Sequence, residues 1–319
     1  MRAIVAGAGA AGKPAAYSRP AVADSYQSVF RPGLFDGKTI LVTGGGTGLG
    51  RCTAHELAAL GANVVIAARR SEPLEQTAAE IRAAGGRCQT ALLNIRDEKA
   101  VDEVVARLAG EHGRIDGLVN NAGGQFVSPA AKITPNGWRT VIDLILTGTF
   151  LMSSAVHRHS MEKHGGAIVN MMADIWTGFP GMAHMAAARA GIGNLTITLA
   201  MEWAASDVRV NSVAPGTILS SGMLHYPREI QERIVDEMVE STPARLGTES
   251  EVSAAIVFLL SPAAAFVTGV TLPVDGGQQF QKGRLIRMGR HRGLARYDGF
   301  QLAADYSGTP FAPKDGGAR

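Results

Sequence analysis

Only two of the 319 residues are cysteines, Cys52 and Cys88. That number excludes a disulfide framework, and no Cys/His cluster has zinc spacing, so no metal site is expected. Long apolar runs are missing as well. No stretch of about 18 apolar residues occurs, so a membrane span is not expected. The first twenty residues lack a solid apolar core, which argues against a signal peptide. The 39 glycines have no G-X-Y period, which excludes collagen. Aromatics are scarce at 6%, yet 46% of residues are hydrophobic, enough to offset chain entropy and exclude disorder of the whole chain. The length fits one large domain, and free cysteines suit a reducing, cytoplasmic setting.

A net charge of +3 hides an asymmetry: residues 281–319 hold eight Lys/Arg and three Asp, giving +5, so the rest carries −2. Arg284, Arg287, Arg290, Arg292 and Arg296 make this tail a candidate for phosphate or nucleic-acid contact. The plainer reading, a solvated or subunit-docking extension, is preferred, and nucleic acid is not the expected partner.

Between about 38 and 277, short β-branched segments alternate with helical patterns of ten or more residues. Strands are expected at Thr39–Thr43, Asn63–Ala68, Cys88–Leu93, Ile115–Asn120, Ala167–Met172, Arg209–Val213 and Thr271–Val274. A long helix is expected over Trp138–Lys163, and Thr248 with Glu251 reads as a capping box. Such βαβ alternation needs crossovers and predicts an α/β fold with a single doubly wound, mostly parallel sheet. The organisation read from this is an arm (1–36, packing through Tyr26, Phe30, Leu34 and Phe35), one central doubly wound domain (37–280) and a basic extension (281–319).

Two glycine clusters compete for the phosphate loop. Gly7–Gly12 spells GxGxxG but has no surrounding βαβ unit and reads as part of the arm. Thr43-Gly44-Gly45-Gly46-Thr47-Gly48-Leu49-Gly50 lies between a strand and a helix start, where backbone N–H groups meet a pyrophosphate. An acid for the ribose diol is expected about 20 residues on. The next strand instead ends in Arg69 and Arg70, which would pair with a 2′-phosphate and predict NADP(H).

Thr43–Gly50, Asn120-Asn121-Ala122-Gly123, Arg209-Val210-Asn211, Pro215-Gly216-Thr217-Ile218 and Val274–Gly277 together resemble the short-chain dehydrogenase/reductase family over about 36–280. The resemblance implies that Gly44, Thr47, Gly48, Leu49 and Gly50 hold the pyrophosphate. It places Asn94 and Ile95 at the adenine, Asn121, Ala122 and Gly123 along the cofactor, and Pro215, Gly216 and Ile218 near the nicotinamide. It also implies a homodimer or homotetramer. Gly123–Phe126, Gly178–Pro180 and Ala187–Gly191 are similar to the trans-2-enoyl-CoA and 2,4-dienoyl-CoA reductases. Ile175-Trp176, Gly181–His184 and Thr217–Gly222 resemble bacterial citronellol/citronellal dehydrogenases.

The family's Asn-Ser-Tyr-Lys set is altered throughout. Its places fall on Ile145, about Ala173, His184 and, after a one-residue insertion, Arg189; a second lysine place falls on Ile197. Arg189 can hold the ribose as a cation but cannot shuttle protons. His184 is a candidate donor or a packing residue at the helix start. Asp174 is a candidate donor or orienter, or an exposed turn carboxylate. Gln125 and Trp176 are candidate substrate contacts. His157, His159 and His164 read as surface residues.

Three functions follow. The first is NADPH-dependent reduction of the activated C=C bond of a 2-enoyl thioester such as an acyl-CoA: hydride reaches the β-carbon and water can protonate the α-carbon, so a tyrosine is least needed. The second is a carbonyl/alcohol (terpenol-type) dehydrogenase, where His184 or Asp174 must act. The third is a non-catalytic dinucleotide-binding or assembly protein.

Overall fold

The computed structural model describes residues 24–240, 245–280, 291 and 294–312. Gly7–Gly12 and the tail arginines Arg284, Arg287, Arg290 and Arg292 lie outside them. Seven strands form one parallel sheet: β1 (Thr39–Thr43), β2 (Asn63–Ala68), β3 (Arg87–Leu92), β4 (Gly117–Asn120), β5 (Gly166–Met171), β6 (Val208–Pro215) and β9 (Thr271–Val274). Their order is β3-β2-β1-β4-β5-β6-β9, the doubly wound arrangement with its switch point between β1 and β4. A separate two-stranded ribbon pairs β7 (Ile218–Leu219) with β8 (Gly247–Thr248).

The helices are α1 (Gly48–Ala59), α2 (Ser71–Ala83), α3 (Glu98–His112), α4 (Pro135–His164), α5 (Ala183–Glu202), α6 (Arg228–Glu240) and α7 (Glu249–Leu260). Strand side chains alternate between two apolar layers, because a parallel sheet is covered on both faces. Ile40, Val42, Val64 and Ile66 pack with Leu57, Ile81 and Ile256 on one face. Leu41, Val65 and Leu118 pack with Val105, Met152 and Leu199 on the other. The helix starts follow local chemistry. Asp97 caps α3 through the Ala100 N–H, and Thr134 caps α4 with Pro135 in its first turn. Thr248 and Glu251 form the expected capping box on α7.

α4 departs from the sequence expectation about membranes. It is 30 residues long with a mean hydropathy of 1.4 in its most apolar window, so by length and composition it is able to cross a membrane. Ile145, Met152, Val156 and Met161 on it are buried inside the protein, which gives that apolarity a core role. The helix also contains two π-turns, Asp143–Thr147 and His157–Met161. Two histidines on it are less exposed than expected. His157 stacks on Trp203 with centroids 4.3 Å apart, and His159 bonds Asp102 at 2.7 Å. His164 is exposed.

The arm packs on the body through residues named from the sequence, and the tail departs from a solvated reading. Tyr26 and Phe35 of the arm are 5% and 4% exposed, and Phe300 of the tail is 3% exposed. Tyr26 and Phe300 cluster with Cys52 of α1, and the Gln27 N–H donates to the Gly299 carbonyl at 2.9 Å. At the centre of this contact is Glu56, fully buried on α1. Its carboxylate accepts from the hydroxyls of Tyr26 (3.1 Å), Ser28 (2.7 Å), Ser253 (2.5 Å) and Tyr297 (3.2 Å). Burial nevertheless pushes its pKa up.

Candidate active site

The glycine loop fills the turn from β1 to α1, at the carboxyl end of the sheet beside the switch point. Gly44 has φ +68° and Gly48 has φ +55°, a region that L side chains avoid. A Cβ on Gly44 would come within 2.8 Å of Asn121 Nδ2, and one on Gly50 would collide with the Gly44 carbonyl. Asn121 explains this crowding. Its Nδ2 donates to the Thr43 carbonyl at 2.9 Å, while its N–H and that of Ala122 donate to Thr43 Oγ1 at 3.0 Å. Thus Asn121 staples the loop to the end of β4, a positioning role for a residue read from sequence as lying along the cofactor.

Thr47 begins α1 without a side-chain cap, and no acid stands in the first turn. The helix N-terminal N–H groups are therefore left for an anion, which is what a dinucleotide pyrophosphate requires. Arg69 and Arg70 follow β2, both exposed, with no hydrogen bond or ion pair among the described residues. Asn94 accepts from Arg96 through its Oδ1, and the buried Ile95 packs where a Cβ on Gly148 would stand. Pro215 is buried, and a Cβ on Gly216 would meet Asp275 Cβ at 2.7 Å, so β6 closes tightly on β9. The residues present fit a nicotinamide dinucleotide.

Arg189 lies on the buried face of α5, 9% exposed. Its Nη1 donates to the Met171 carbonyl at the end of β5, and Nη2 would meet a Cβ placed on Gly123 at 2.8 Å. No carboxylate pairs with it among the described residues. Desolvation lowers its pKa to about 10, which leaves it a cation at neutral pH. The site therefore holds a buried positive charge beside the backbone of the Asn121–Gly123 segment.

His184 does not join it. α5 runs without a bulge from Ala183 to Glu202, so Met185, not His184, stands one turn before Arg189. Five residues put His184 about 140° around the helix from Arg189. His184 is fully buried; its Nδ1 accepts the Met185 N–H at 2.8 Å, and its ring meets Phe126 edge-on at 4.4 Å. With Nδ1 accepting, Nε2 carries the proton, and Nε2 has no partner among the described residues. Asp174 is buried at 8% exposure rather than an exposed turn carboxylate, and its N–H donates to the Pro215 carbonyl.

The rim is apolar. Phe126, Val127, Trp176 and Phe179 are 42%, 49%, 48% and 37% exposed, on the loops after β4 and β5. The Ser128 N–H donates to the Gly181 carbonyl at 2.8 Å and ties those loops together. Gln125 reaches across to a residue that sequence reading left unassigned: its Nε2 donates to Tyr226 Oη at 3.4 Å. Tyr226 follows β7 in a segment with no strand or capping signature, so its approach to residue 125 had no local trace. The polar chain Ser153–Asn120–Asn170–Thr196 behind the site was equally hidden. It forms because β4 and β5 bring Asn120 and Asn170 into register.

Comparison with known proteins agrees with this geometry. A profile of the family described as Enoyl-(Acyl carrier protein) reductase matches residues 44–279. The Probable 2,4-dienoyl-CoA reductase of Bacillus subtilis (strain 168) is 38% identical over 244 residues, covering 76% of this chain and 96% of that protein. The Peroxisomal 2,4-dienoyl-CoA reductase of Pongo abelii is 36% identical, with coverages of 79% and 87%. The solved citronellol catabolism dehydrogenase of Pseudomonas aeruginosa PAO1 is 52% identical with a TM-score of 0.72, covering 80% of this chain and 100% of that one. The chain belongs to the short-chain dehydrogenase/reductase family and is a nicotinamide-dependent oxidoreductase.

Proposed function

We propose that this enzyme uses NADPH to reduce the activated C=C bond of a 2-enoyl thioester with an apolar acyl chain. The observation that carries the reading is the combination of a buried cation at Arg189 with no tyrosine on the α5 face one turn before it, where Met185 stands. Bound NADPH would supply a hydride. Charge then develops on the thioester oxygen, and a preorganised cation in a desolvated site stabilises it. Arg189 serves that role, or holds the ribose, without giving up a proton. The α-carbon takes its proton from water.

The apolar rim of Phe126, Val127, Trp176 and Phe179 suits the acyl chain. Gln125 and Tyr226 offer polar contacts to the headgroup. Arg69 and Arg70, exposed and free of carboxylates, favour the 2′-phosphate of NADP(H). Named relatives act on dienoyl-CoA thioesters, in keeping with this substrate class. Self-association through α4 and α5 belongs to the proposal, since Phe150, Ile197 and Met201 on those helices are exposed. So does a cytoplasmic setting, in keeping with two free cysteines.

A second reading is favoured by the 52% identity to a citronellol catabolism dehydrogenase. Reduction of a terpenoid carbonyl needs a proton delivered to oxygen, which the packing of His184 against Phe126 opposes. The test is NADPH consumption with a series of 2-enoyl-CoA thioesters beside terpenoid aldehydes and alcohols. Turnover of the thioesters with a saturated product supports the proposal. Turnover confined to the terpenoids overturns it in favour of the second reading.

A further inference from the structure

The P. aeruginosa chain is matched along its whole length by 80% of this one, and the family profile ends at residue 279. The tail is therefore an addition to the shared fold, and residues 294–312 of it run over two parts of the site. One end is anchored at the starts of α7 and α1. The Gly299 and Phe300 N–H groups donate to Ser250 Oγ at 3.0 and 3.1 Å. Thr248 Oγ1 donates to the Tyr297 carbonyl at 2.6 Å, and Arg51 Nη1 to the Leu302 carbonyl at 3.2 Å. Tyr297 Oη adds its bond to Glu56.

The other end reaches the segment between β7 and α6. Phe311 is 9% exposed and clusters with Met223 and Leu246. Tyr306 meets Phe311 edge-on, with centroids 6.4 Å apart. Tyr226, Ile234 and Val235 pack on the same cluster. Tyr226 also packs on the apolar cluster of Met182, Met185 and Ile145 beside the site, and its hydroxyl takes the Gln125 bond. One aromatic ring thus lies between the strap and the mouth of the site.

We propose that the C-terminal strap is a specificity element of the substrate site: Tyr306 and Phe311 brace the segment from Ile218 to Glu240 and hold Tyr226 against Gln125, fixing the width of the groove that receives the acyl chain. The substrate named here rests on the reading above; the bracing does not. Tyr306 and Phe311 are positioning residues, acting through Tyr226.

The test compares full-length Phe311→Ala and the milder Phe311→Leu with the parent enzyme. Trypsin cleavage after Arg228 and Arg233 reports opening of the braced segment. NADPH titration by fluorescence reports the cofactor site, and kcat and KM over a series of enoyl-CoA chain lengths report the groove. In Phe311→Ala the segment is cut about tenfold faster, since a truncated Phe in a small cluster frees a local unit before the whole fold. NADPH affinity stays within about twofold, KM rises about tenfold with kcat nearly kept, and chain-length preference flattens. Phe311→Leu restores most of each. Unchanged cleavage in both variants overturns the bracing whatever the substrate. Faster cleavage with an unchanged chain-length profile overturns the specificity role. If no thioester is turned over by any form, the substrate reading has failed, and the cleavage rates alone decide whether the strap braces the segment.

Discussion

Glu249, the first residue of α7, is 5% exposed and its Oε1 lies 3.9 Å from where a Cβ on Gly48 would stand. A carboxyl group therefore faces the phosphate loop. Burial raises its pKa from 4.5 to about 7, against the opposing help of the Ser221 N–H and Arg51; Asp298 pushes it further up. Cys52, also buried nearby, stays a thiol because burial and Glu249 raise its pKa. The folded state holds this proton more tightly than the unfolded chain does. The associated stability is fully present below pH 4.5 and is lost as pH rises through 7. At 1.36 kcal/mol per pH unit, that interval is worth about 3 kcal/mol. Glu249→Gln keeps an acceptor for the Ser221 N–H and never ionises, so it should be about 2–3 kcal/mol more stable than the parent at pH 8 and nearly equal at pH 4.5. Urea unfolding at both pH values measures the difference. The same carboxylate opposes a bound pyrophosphate, so NADPH affinity should fall above pH 7 in the parent more than in the variant. An equal stability gap at both pH values would refute the reasoning, because only an ionisation can make the gap depend on pH.

Replacing Arg69 and Arg70 by Ala should weaken NADPH binding about tenfold or more, through lost charge-assisted bonds, and leave NADH within about twofold; paired fluorescence titrations check this. Gly50→Ala places a Cβ against the Gly44 carbonyl and Asn121, so cofactor binding should be lost and stability should drop by about 2 kcal/mol, read by calorimetry with and without NADPH. Arg189→Met should lower kcat about 100-fold if the cation faces developing charge, while unfolding free energy holds or rises, since a buried cation without a carboxylate partner is itself costly. A variant with full turnover would remove Arg189 from the chemistry.

The sheet was legible because its strands are short apolar or β-branched runs punctuated by glycine, buried in the centre and half-exposed at the edges β3 and β9, and the phosphate loop because its glycines answer to local backbone geometry. Asn121 was visible as a motif residue, but its stapling of Thr43 and Gly44 depends on how β1 and β4 lie side by side. His184 was misplaced relative to Arg189 because motif spacing was allowed an insertion that a regular helix does not contain. The segment carrying Tyr226 and the strap were out of reach for a different reason. Their contacts join residues far apart in the chain, such as Gln125 with Tyr226 and Met223 with Phe311, and no periodicity marks them.

α1 connects these parts. Its N-terminus is the phosphate loop, and its buried face carries Glu56 and Cys52, on which the arm and strap converge. Arg51 on the same helix bonds Glu80 of α2 through two nitrogens, at 2.8 and 2.9 Å, and the strap through the Leu302 carbonyl. An added tail that merely shielded apolar surface would need no such hydrogen bonds. Anchoring at α1 means that the strap bracing Tyr226 is referenced to the same rigid element that presents the cofactor loop. The relative placement of hydride donor and acyl chain, which a displacement of about 1 Å can spoil, then depends on one helix and not on the loops between.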